Sequence, residues 1–115
     1  MFDFEKLNVY QEAKEINKEA LSFLRKTSDI DSYIKNQWRS ASISSVINIA
    51  EGSGKFSKAD KRNFYTISRG SVYESVSLID LIHEEGQMKD EQYQYFYNRY
   101  EKLSKMLLGL INSQK

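Results

Sequence analysis

The chemically richest residues of the chain fall in three short runs. Asn48, Glu51 and Gly52 make the first; Arg69, Gly70, Ser71 and Glu74 make the second. Two carboxylates, a guanidinium, an amide and a hydroxyl brought together could bind a small polar ligand or pass a proton. Read as structure, the same set is a network in which Arg69 or Asn48 satisfies a partly buried Glu51 or Glu74. The third run, Gly52 to Arg62, sets Lys55, Lys58, Lys61 and Arg62 against the single acid Asp60, with Phe56 among them. Cations contact phosphates and an aromatic ring stacks on a base, so this segment could meet RNA or DNA. Read as structure, it is a solvated loop and first helical turn, with Phe56 packed on the end of the domain.

Other chemistries are excluded or poorly supplied. The absence of Cys removes disulfides, thiolate metal sites and Cys nucleophiles. Di-iron helical bundles use two Glu-x-x-His motifs, and the nearest match here is Asp80-Leu81-Ile82-His83; with one His in the chain the second motif cannot exist. No metal and no cofactor are expected. Asp80 or Glu84 could orient His83, but no nucleophile elbow accompanies them. Gly52-Ser53-Gly54-Lys55 lacks both the spacing and the preceding strand of a phosphate loop. Lys plus Arg is 17 and Asp plus Glu is 16, a net charge of +1, so a cationic coat over the whole surface is ruled out and only a local patch is available.

The elements that must position these residues are helices. A chain of 115 residues makes one domain, and without Pro nothing forbids long unbroken helices. The first helix is expected from Asn8 to Lys26, opened by a capping box of Asn8 and Gln11. The second is expected from Asp31 to Gly52, ended by glycine's tolerance of left-handed backbone. A third runs from the Ser57 cap, with Asp60 at the box position, to Glu85 before Gly86. A fourth runs from Asp90 to Asn112. Short connections give an all-α, antiparallel up-down-up-down four-helix bundle over residues 1–115. No apolar run is long enough to cross a membrane, and the start does not read as a secretory signal; a cytoplasmic location is expected by default.

The helical faces predict a core and a surplus. At about 100° per residue, the third helix gathers Phe64, Ile67, Ser68, Ser71, Val72, Ser75, Leu78, Ile79 and Ile82, with Gly70 beside the stripe as a mark of close helix contact. His83 falls on the flank with Tyr65 and Val76. The fourth helix gathers Tyr93, Phe96, Tyr97, Tyr100, Leu103, Leu107, Leu110 and Ile111. The second helix is apolar on two sides: Ile34, Trp38, Ala41, Ser45 and Ile49 face one way, while Ile43, Val46, Ile47 and Ala50 face the other. A monomeric bundle covers only one of these, so the second needs a partner, most economically another copy of the chain. Tyr95 and Met106, nearly opposite the core stripe of the fourth helix, are candidate interface residues as well.

The run from Gln37 through Asn48-Ile49-Ala50-Glu51-Gly52 resembles the signature of a bacterial four-helix-bundle family, the proteins encoded in intervening sequences of 23S ribosomal RNA genes. Phe64 through Arg69-Gly70-Ser71-Val72-Tyr73-Glu74 is similar to its second signature, and Leu7-Asn8-Val9-Tyr10 to its usual opening. Val46 and Ser68 depart from the pattern without threatening the fold. The resemblance implies a closed bundle with no known enzymatic activity. It extends to the accessory variability proteins of diversity-generating retroelements, implying a homopentamer with nucleic acid or a reverse transcriptase as partner. The competing expectation is a small enzyme or ligand-binding protein built on Glu51, Arg69 and Glu74.

Overall fold

A single 3₁₀ turn, Asp3–Lys6, leads into α1 (Asn8–Lys26), α2 (Ser32–Ser53), α3 (Lys58–Glu84) and α4 (Asp90–Asn112), in a computed structural model that describes all 115 residues. The helix ends follow their capping chemistry. The Asp31 carboxylate accepts from the Tyr33 and Ile34 amides at 2.9 and 3.3 Å, and Ser57 Oγ accepts from the Asp60 amide at 3.0 Å. Each satisfies N–H groups that have no partner inside the first turn. Gly86 stops α3 with φ of 77°, a conformation that costs a β-carbon-bearing residue energy.

Two expected ends differ. The Asn8–Gln11 capping box does not form. The 3₁₀ turn delivers Leu7 as the N-cap, and Gln11 Nε2 reaches back to the Glu5 carbonyl instead, at 3.0 Å. α2 ends within the expected Gly52-Ser53-Gly54 segment, at Ser53, but Gly54 closes it in right-handed and not left-handed backbone. Gly52 is there for space. A β-carbon on it would lie 2.7 Å from the Tyr65 ring and 3.0 Å from Phe64 Cβ, so its missing side chain lets α3 approach. Gly70 has the opposite surroundings: nothing lies within 4 Å of a β-carbon built there, so it marks no close contact.

Hydrogen bonds between helices give the topology. Ser71 Oγ meets Ser44 Oγ, Ser68 Oγ donates to the Ser45 carbonyl, and Lys61 Nζ to the Ser53 carbonyl. As residue numbers fall on α3 they rise on α2, so the two are antiparallel. Arg69 to Ser104 and His83 to Asp90 give the same result for α3 and α4. Ser42 on Asn17 and the Phe23–Trp38 ring pair do so for α1 and α2. The bundle measures 44 × 22 × 21 Å.

The buried positions of α3 are Tyr65, Ser68, Val72, Ser75, Ile79 and Ile82, with Ser71 and Leu78 beside them. Their alternating spacing of three and four is the 3.5-residue repeat of supercoiled helices rather than a straight 3.6. A straight stripe drifts about 20° per heptad against that repeat. This is why the expected Phe64 and Ile67 lose their core places to Tyr65: Phe64 is half-buried and Ile67 is 43% exposed. Tyr97 likewise sits at the surface, while α4 buries Phe96, Tyr100, Leu103 and Leu107.

At the core's centre Trp38 Nε1 donates to Tyr100 Oη at 2.9 Å, both residues being buried, and the Trp38 ring meets Phe96 edge-on at 5.3 Å. The buried serines are all satisfied. Ser45 and Ser75 bond back to their own helices, while Ser68 bonds across to α2. No buried side-chain polar atom lacks a partner.

Candidate nucleic-acid tip and assembly surface

The α2–α3 hairpin ends in residues 54–57, where Phe56 is fully exposed and packs on nothing. The sequence-level alternative that packs this ring against the domain end therefore does not hold. Around it, Lys61 Nζ donates to the Ser53 carbonyl at 2.9 Å, Arg62 to the Gln114 carbonyl, and Lys58 Nζ to the Lys115 carbonyl at 3.5 Å. Lys55 Nζ lies 4.8 Å from the centre of the Phe64 ring. None of the four is in an ion pair with an Asp or Glu side chain. Asp60 is the one acid of residues 52–62, so the segment keeps an excess of cations.

The opposite end of the bundle carries the opposite sign. Asp29, Asp31, Glu84, Glu85, Asp90 and Glu91 lie around the α1–α2 and α3–α4 connections, against Arg25, Lys26, Lys35 and Lys89. The charge is therefore unevenly spread, with an excess of cations at the tip and a smaller excess of acids at the far end. At the acidic end His83 Nε2 lies 2.6 Å from Asp90 Oδ1, and its ring stacks on Tyr93 at 4.5 Å.

The outer face of α2 divides. Ile43 and Ile47, one turn apart, are 36% and 47% exposed. Val46 packs against the chain's own core, and Ala50 is half-buried. The uncovered surplus is therefore smaller than the four-residue face expected, because α1 claims part of it. Ile67 adds to what remains: the Ser68–Ser45 and Ser71–Ser44 bonds set it level with residues 46–48 of α2.

The two α4 candidates do not belong to this surface. Met106 packs on the core. Tyr95 is part of a charged clasp between α1 and α4: its hydroxyl donates to Glu19 Oε1 at 2.7 Å and accepts from Arg99 Nη1. Arg99 also pairs with Glu12 at 3.1 Å and Glu19 at 3.0 Å. Burial opposes the Arg99 charge, but Glu12, Tyr95 and Glu19 outweigh it and raise its pKa. Sequence reading missed this clasp, although Glu12, Glu15 and Glu19 share one side of α1 and Arg99 and Lys102 lie one turn apart on α4.

The expected polar network also comes apart. Asn48 Nδ2 bonds to Ser44, and Ser44 to Ser71, along the α2–α3 seam. Arg69 points the other way, to the Ser104 carbonyl of α4 and the Tyr73 hydroxyl. Glu51 and Glu74 are exposed and pair with no cation. The cause is angular: Arg69 and Glu74 are five residues apart on α3, about 140° round the helix, so they face different neighbours. A catalytic centre requiring Arg69 against those carboxylates is not assembled.

Among known proteins, the model of the 23S rRNA-intervening sequence proteins matches residues 5–109. A solved structure of a protein of unknown function from the S23 ribosomal protein family of Bacteroides thetaiotaomicron is similar in fold, with a TM-score of 0.85 at 20% identity. The match covers 90% of this chain and 97% of that one. No curated protein matches the sequence. No helix is long and apolar enough to cross a membrane.

Proposed function

Since the chain belongs to the 23S rRNA-intervening sequence protein family, we propose that it is a non-enzymatic helical scaffold that assembles with copies of itself and presents its basic tip to nucleic acid. The observation that carries this reading is the hairpin tip: a fully exposed phenylalanine in a segment that carries four cations, none in an ion pair with an Asp or Glu side chain. An exposed ring beside unpaired cations suits a base and its phosphates. The tip has the larger excess of cations, so it is the end by which RNA or DNA approaches.

Assembly is supported by Ile43, Ile47 and Ile67, exposed isoleucines that a second chain could cover. In a ring of parallel subunits the tips would share one face, and several weak contacts would add as avidity. Five copies is the order expected, by resemblance to the accessory variability proteins, with a nucleic-acid enzyme such as a reverse transcriptase as a further partner.

Multi-angle light scattering tests the assembly. The wild type is expected at a multiple of 13.5 kDa, fivefold by the resemblance, and Ile47→Glu at a lower mass with unchanged far-UV circular dichroism. A monomeric wild type, or a variant of the same mass, refutes the interface.

Titration of a labelled RNA stem-loop tests the tip. Lys55→Glu with Lys58→Glu should weaken binding and flatten the plot of log affinity against log salt by about two phosphate contacts. Binding that is absent at low salt, or unaltered by the double substitution, overturns the nucleic-acid role.

A further inference from the structure

A trough of about 480 Å³ lies elsewhere, between α3 and α4, within the range of small-ligand sites. The buried Tyr100 contributes to its lining, and Tyr73, Tyr93 and Tyr97 add aromatic surface; the Tyr93 and Tyr97 rings are 5.9 Å apart. Its charged lining residues are Asp80 and Glu101, two exposed carboxylates outside every ion pair, and no Lys or Arg lines it.

The antiparallel register spaces those carboxylates. With Arg69 level with Ser104 and His83 with Asp90, Glu101 lies level with Val72 and Asp80 with Tyr93. Val72 and Asp80 are eight residues apart, about 12 Å along the axis at 1.5 Å per residue. The trough thus has a negative charge towards each end and tyrosine rings between. At its margin a guanidinium already uses one of these rings: Arg69 Cζ sits 4.9 Å from the centre of the Tyr73 ring. Both walls are α-helices whose main-chain groups are paired internally, so they offer an extended peptide no backbone partners. A ligand made of ammonium groups and methylenes needs none.

We propose that this trough binds a linear aliphatic polyamine, its terminal ammonium groups at Asp80 and Glu101 and its methylene chain along Tyr93 and Tyr97. Carboxylates supply charge-assisted acceptors, and tyrosine faces attract cations and cover methylenes. The site is independent of the assembly face on α2 and of the basic tip.

Calorimetric titration of the full chain with spermidine tests it, alongside a linear diamine of matched length and the monoamine of the same length. Spermidine and the diamine should saturate one site per chain, and the monoamine should bind about tenfold more weakly for want of a second anchor. Asp80→Asn and Glu101→Gln should each weaken spermidine about tenfold. Tyr97→Leu, at a partly exposed position that tolerates change, should weaken it too. Glu84→Gln, an acid outside the trough, should leave binding unchanged. The proposal falls if spermidine gives no saturable heat, if the monoamine binds as tightly as the diamine, or if Glu84→Gln weakens binding as much as Asp80→Asn.

Discussion

Trp38→Ala is expected to destabilise the protein by about 3–5 kcal/mol, the cost of emptying a large buried aromatic site that cannot collapse. Trp38 is wholly buried where three helices meet: its ring touches Phe23 of α1 at 5.8 Å and Phe96 of α4 at 5.3 Å, and its indole N–H is the donor to Tyr100. The substitution removes dispersion contacts on every side and also the donor that satisfies a buried hydroxyl. Against a total stability of about 5–15 kcal/mol for a domain of this size, that is a large fraction. The melting temperature should fall by about 12–20 °C. Trp38→Phe keeps most of the ring and removes one of the hydrogen bonds to the Tyr100 hydroxyl, so it should cost about 1 kcal/mol beyond the lost ring area. Urea unfolding followed by circular dichroism would measure both. A loss under about 1 kcal/mol for Trp38→Ala would mean that the aromatic cluster is not what holds α1, α2 and α4 together.

The second large effect is on alkaline stability. Burial pushes the Tyr100 phenol from its ordinary value of 10.0 up to about 12, against the opposing hydrogen bonds of Trp38, Ser75 and Ser42. The unfolded chain therefore releases this proton through pH 10, while the folded chain holds it to about pH 12. Between those values the native state binds more protons than the unfolded state, so stability falls as pH rises. The contribution is fully present below pH 10 and gone above pH 12, a loss of about 2–3 kcal/mol. Tyr65 and Tyr93, whose phenols burial raises, and Tyr95, held neutral chiefly by its bond to Glu19, act in the same direction. Tyr100→Phe separates the central group from these. It should be less stable than wild type at pH 8 by about 1–3 kcal/mol, because the buried Trp38 N–H loses its acceptor, and should lose less stability between pH 10 and 12. Urea midpoints at pH 8, 10, 11 and 12 read the difference. Parallel pH profiles for the two proteins would place the alkaline transition elsewhere.

Helix positions were legible because their signals are local. Asp31 and Ser57 accept from amides two or three residues away, and Gly86 supplies its own φ; none of these needs a distant partner. The Asn8 cap was misread for the same kind of reason. A 3₁₀ turn just upstream shifts the N-cap to Leu7, and no periodic signal announces so short an element. The core stripe was right at the middle and C-terminal half of α3 and wrong near its start. An error of about 20° per heptad is small at Val72 and decisive at Tyr65 and Ile67.

The candidate sites were legible as residues and less so as assemblies. The cations of the α2–α3 hairpin share one end of the bundle because they are neighbours in sequence. The Arg69–Glu74 pairing does not form, since closeness in sequence along a helix sends side chains in different directions. The Arg99 clasp and the α3–α4 trough unite residues far apart in sequence, and only the antiparallel register brings Arg99 to Glu12 and Glu101 towards Tyr73.

The order of residues by itself determined an all-α chain, its helix limits, the family it belongs to and the concentration of cations at one hairpin. Each depends on neighbours within a few positions, where backbone geometry is enough to place one group beside another. The tertiary structure decided which apolar side chains stay uncovered, which carboxylates go unpaired, and that Phe56 stands free. Those outcomes turn on supercoil and register, small rotations that accumulate along a helix and become definite only when its neighbours are packed against it.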